Sequence, residues 1–115
     1  MLDRTKRLLR TPDKSDPHAF LLEVLRSLVE LLSLPDNDFA WSSWSGRDVA
    51  VSEVESIIAL IESGKLPDRV RVAVLFAPTG PAQEVSLSSG WADVFLKVAE
   101  LYDQAEEMLW HHHLG

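Results

Sequence analysis

The sequence predicts a mainly α fold, a compact bundle of about four helices, and three observations carry that expectation. Between Asp16 and Pro35 the chain is apolar on nearly every side, with Glu23, Arg26, Ser27, Glu30 and Ser33 forming a narrow polar stripe at helical spacing. From Trp91 the positions Trp91, Phe95, Val98, Tyr102, Ala105 and Leu109 step alternately by four and three, the seam of an antiparallel bundle or a coiled coil. Between them, Ser52 and Glu55 form a capping box in front of Val54, Ile57, Ile58 and Ile61.

Taken in order, the elements start with a basic segment, residues 1–15, expected to be frayed because chain ends are commonly loosely held. Residues 16–115 then form a single helical domain. Asp16 as N-cap and Pro17 at the first helical position open a helix running to about Leu34, and its broad apolar surface makes it the central element of the core. Pro35 ends it, and the polar loop 36–47 follows, carrying Phe39, Trp41 and Trp44. A helix over about 52–63 closes on Gly64. Residues 69–76, RVRVAVLF, alternate as a strand would, yet Pro67 and Asp68 make a plausible helix start and Val70, Ala73, Val74 and Ala77 share a helical face. A short helix is favoured, with an α+β fold containing one hairpin at residues 69–88 as the alternative. Pro78, Gly80 and Pro81 break regular structure before the last helix, whose outer side is charged by Asp93, Lys97, Glu100, Asp103, Glu106 and Glu107.

Phe76 to Trp91, FAPTGPAQEVSLSSGW, resembles a stretch of small uncharacterised bacterial proteins and covers a minor part of the chain. The resemblance implies a compact, largely helical, single-domain cytoplasmic protein. It implies no activity and no catalytic residue.

Composition narrows the function. The 115 residues are 46% hydrophobic and 25% charged, ordinary for one globular domain, and the absence of cysteine removes thiol nucleophiles, thiolate metal sites and disulfides. No apolar run reaches the length of a membrane span and no apolar signal core stands near the first residue, so a cytoplasmic location is expected. The net charge is −7; the first ten residues hold four bases against Asp3, a net +3, which leaves −10 on the rest. So acidic a body repels phosphate backbones and anionic lipid and attracts a basic protein. Nucleic-acid and membrane partners are therefore not expected.

No catalytic or cofactor motif stands out. PTGP at 78–81 lacks the glycine run and terminal lysine of a phosphate loop, and its prolines remove N–H donors. Asp36, Asn37 and Asp38 begin like a calcium loop, but Ala40 and Trp41 occupy positions that need an oxygen ligand and a glycine. The glutamates at 53 and 55 belong to a helix start. No enzyme activity and no cofactor are expected. The histidines His111, His112 and His113 are weak metal candidates, since consecutive side chains on a helix cannot all face one ion. Phe39, Trp41, Trp44 and Arg47 are the candidate partner-binding residues, aromatics in a polar loop with Arg47 and Asp48 as a polar rim. The expected function is a non-catalytic protein-binding module, immunity- or adaptor-like. The alternatives are a structural homo-oligomer, such as a homodimer, sharing the 91–109 seam, and a small-ligand or metal-binding domain.

Overall fold

A computed structural model describes residues 2–111. Its described residues form six α-helices: α1 (Asp3–Arg10), α2 (Pro17–Leu32), α3 (Arg47–Glu62), α4 (Arg69–Phe76), α5 (Pro81–Ser89) and α6 (Ala92–Glu106), followed by a π-helical turn at Glu107–His111. None of the described residues is in a strand. The helix expected over 69–76 is therefore present and the hairpin alternative is not.

The centre is α2. Its carboxylate cap is Asp16, whose Oδ1 accepts from the His18 and Ala19 N–H groups at 3.0 and 3.4 Å. Leu21, Val24, Leu25, Leu28, Leu31 and Leu32 are fully buried, because α1, α3 and α6 all pack against this one helix. Each such leucine contributes about 1.5–3 kcal/mol by leaving water, which makes α2 the largest single source of core stability.

The N-terminal segment, expected to be frayed, instead forms α1 and lies along the polar stripe of α2. Leu2 offers no side-chain cap. The cap comes from α2: Glu30 accepts from the Arg4 and Thr5 backbone N–H groups at 3.0 and 2.8 Å. The Thr5 and Ser27 hydroxyls share a buried 2.8 Å hydrogen bond, Arg4 pairs with Glu23 at 3.8 Å, and Leu8 enters the core. The stripe is a docking rail for a basic helix.

Two further expectations are corrected. The capping box at Ser52 and Glu55 is not a helix start: α3 begins five residues earlier, with Gly46 as N-cap, and Ser52 is an exposed position within it. Buried Ala50 extends the stripe of Val54, Ile57, Ile58 and Ile61 one turn upstream, and that burial outweighs the local cap. At the other end Gly64 is the expected C′ residue, with φ of 91°, its N–H bonded to the Ile61 carbonyl and that of Lys65 to Leu60, a Schellman pair. The second correction concerns Pro81, which does not break structure but starts α5 at its first position. Ala82, Val85 and Ser86 are its buried face.

The turn between α4 and α5 is close-packed. The Gly80 N–H bonds the Ala77 carbonyl at 2.9 Å, and a Cβ at Gly80 would overlap the Val74 carbonyl oxygen and stand 3.1 Å from that of Ala77. Backbone atoms cannot rotate away. Gly80→Ala is therefore expected to cost about 1–3 kcal/mol in urea unfolding, while Gly46→Ala, with open space around the new methyl, stays within about 0.5 kcal/mol.

Burial pushes the Glu30 carboxyl up, but the hydrogen bonds from Thr5 and Arg4 and the Arg4 charge outweigh it, so the group sits below its ordinary value. A depressed carboxylate contributes stability that is present at neutral pH and is lost as pH falls through its folded value. Acid, below the usual carboxylate range, is expected to loosen α1 before the rest. Amide exchange of residues 4–8 between pH 6 and 3 should show this, and Glu30→Gln should exchange faster at neutral pH with little further response to acid.

Candidate functional site

The loop between α2 and α3 carries the aromatic residues, and the structure separates them. Residues near its start are tied to the body. The Asn37 side chain donates to the Leu31 carbonyl at 2.9 Å and accepts from the Trp91 indole N–H at 2.8 Å, while the Asp38 N–H donates to Ser89 Oγ at 2.8 Å. The segment Asp36–Asp38 thus fastens the loop to the end of α2 and to the junction of α5 with α6. Asn37 is occupied by those two bonds.

The middle of the loop is organised by its own short polar side chains. Asp38 Oδ1 accepts from the Ala40 N–H at 2.9 Å, and the Ser42 hydroxyl lies 3.0 Å from the Phe39 carbonyl and 3.2 Å from that of Trp44. The Ser42 N–H closes the turn onto the Phe39 carbonyl at 3.1 Å. Small polar residues stabilise such turns because their side chains substitute for backbone partners. Trp41 therefore sits at the apex of a turn closed on both sides.

Trp44 and Trp41 have opposite surroundings. Trp44 is 5% exposed, part of the core, and its indole N–H donates to Glu53 Oε2 of α3 at 2.9 Å. Trp41 is 74% exposed. Of the four candidate contact residues, Trp44 is thus a structural residue, Phe39 is half-buried against the core, and Trp41 and Arg47 face outward. Val49, in the first turn of α3, is also exposed. The signal for Trp44 lies in its spacing from Glu53, an acceptor within reach once α3 starts at Arg47.

The seam of α6 is covered within the chain. Trp91, Phe95, Val98, Tyr102, Ala105 and Leu109 are all buried, with α6 packed on α2, α4 and α5. Phe76 stacks on Tyr102 with ring centroids 4.5 Å apart and planes 8° from parallel. Trp91 meets Phe95 edge-on at 6.4 Å. A shared seam between subunits is not needed to bury these residues.

Burial and the hydrogen bond to Glu106, 2.9 Å away, push the Tyr102 hydroxyl well above its ordinary value, so it stays a proton donor. Arg69 of α4 reaches the same carboxylate at 3.5 Å.

Among the described residues no group of three histidine or acidic side chains could hold a metal ion. The side chain of His111, with His112 and His113, lies outside the described residues. No helix among the described residues is long and apolar enough to cross a membrane.

The different surroundings of the two tryptophans predict different costs. Trp44→Ala is expected to lose about 3–5 kcal/mol, read as a lower urea midpoint with an unchanged slope. Trp41→Ala should stay within about 0.5 kcal/mol of the parent. Comparison with family models, with curated proteins and with solved structures finds no match for this chain.

Proposed function

We propose that this chain is a non-catalytic protein-binding module, immunity- or adaptor-like, that engages a basic protein through the loop preceding α3. The observation that carries this reading is Trp41, exposed at the apex of a turn whose flanks are hydrogen-bonded. A large aromatic presented on an already ordered loop loses little entropy when it is buried by a partner. Arg47 and Asp48, exposed at the start of α3, supply a polar rim. The charge of −10 beyond the first ten residues supports a basic partner, whose approach it would accelerate.

Affinity capture with the immobilised full chain tests the proposal, using lysate of the source organism at low and at high salt. A basic protein should be retained, its retention should fall with salt, and Trp41→Ala should weaken it about thirtyfold or more while leaving circular dichroism unchanged. Equal capture by the folded variant, or capture indifferent to salt, would contradict the assignment.

A further inference from the structure

We infer that the groove between α4, α5 and α6 receives a basic side chain, arginine or lysine, of the protein partner. This rests on the basic-partner reading above and gives it a second, separate point of contact.

The groove exists because its walls are built from small side chains. Ala73 and Ala77 on the α4 side and Ala99 on α6 stand where larger residues would meet, leaving a cavity of about 330 Å³. Phe76, Phe95 and Tyr102, buried and stacked, line its depth, and Leu96 is exposed at the rim. Such a lining suits the hydrocarbon stem of a long side chain.

Every charged residue lining it is acidic. Glu100, Asp103 and Glu106 follow one another at intervals of three along α6. Glu106 is engaged by Tyr102 and Arg69. Glu100 and Asp103 have no cation within ion-pairing distance among the described residues, although Lys97 is on the same helix. Burial first, and then the neighbouring charges of Glu106 and Glu100, raise the Asp103 carboxyl above its ordinary value. On the α5 side the Gln83 side-chain oxygen is buried and accepts no hydrogen bond from the described residues.

These features select the occupant. An anion would be repelled, and a purely apolar side chain would cover two carboxylates without pairing them. The described carboxylates form no set that could hold a metal ion. A lysine or arginine satisfies both requirements, with its stem along the alanines and its head among the carboxylates.

The test is a titration of the labelled full chain, followed by backbone amide shifts, with a capped helical peptide of leucine and arginine and a twin carrying citrulline in place of arginine. The arginine peptide should shift Ala73, Ala77, Leu96 and Ala99 saturably. The citrulline twin, and Glu100→Gln/Asp103→Asn with the arginine peptide, should each bind at least tenfold more weakly. Equal binding by the twin, indifference to the double substitution, or shifts confined to the Trp41 loop would overturn the inference. So would self-association in which the groove signals move with protein concentration, because a second copy, offering the basic face of α1, would then be the occupant. The two readings fail separately. A basic protein captured through Trp41 but indifferent to Glu100→Gln/Asp103→Asn removes the groove alone, whereas arginine-peptide binding in the groove without any captured protein removes the partner alone.

Discussion

One helix covered on almost all sides is the constraint from which the rest of this structure follows. A 16-residue helix with Leu21, Val24, Leu25, Leu28, Leu31 and Leu32 all buried to completion must be surrounded on most sides, and a chain of 115 residues has few elements with which to do it. Three helices pack directly on α2, while α5 packs on α6 and α4 packs on both α5 and α6. Most of the large apolar side chains are buried in this way, while Trp41, Val49, Leu66, Val70, Val74, Leu87 and Leu96 stay exposed. The charged residues are left outside, and with 18 acidic against 11 basic side chains the exterior is acidic.

The one side of α2 that is not apolar is put to a different use. Its polar stripe accepts a short basic helix through a carboxylate that takes over the capping role at the start of α1, with a buried hydroxyl pair between Thr5 and Ser27. An eight-residue helix is too short to persist on its own, so α1 depends on that contact for its existence. The arrangement also lays positive charge over Glu23 and Glu30, and the acidic residues of the molecule are more numerous elsewhere, on α3 and α6.

What could be read from the sequence was whatever is decided locally. Asp16 with Pro17, Gly64 with its left-handed backbone, and the apolar period of α2 and α6 are signals contained within a few residues, and each corresponds to an element in the structure. The docking of α1 was not legible, because its cap is supplied from about 25 residues away. The start of α3 was misplaced because a genuine local cap pattern at Ser52 competed with the burial of Ala50, and burial prevailed. α5 was missed because glycine and proline together suggest a break, although proline at a first helical position is a start signal too. Within the candidate site, the aromatic loop was legible as a cluster. The division of labour within it was not, since Trp44 turns inward to a carboxylate of α3 while Trp41 is left at the apex.

The functional reading depends on that loop being held by the same core that buries α2. Its fasteners are Asn37, bridging Leu31 and Trp91, and the Asp38 N–H on Ser89, so the loop is attached to α2 and to the α5–α6 junction at once. Site-resolved hydrogen exchange of the intact chain tests this most directly. The account predicts that the α2 amides of Val24, Leu25 and Leu28 exchange only on global unfolding and that the amides of Asp38 and Ser42 are protected along with them. Loop amides exchanging at the rate of an unstructured chain while α2 stays protected would contradict it, because Trp41 would then not be presented by the fold.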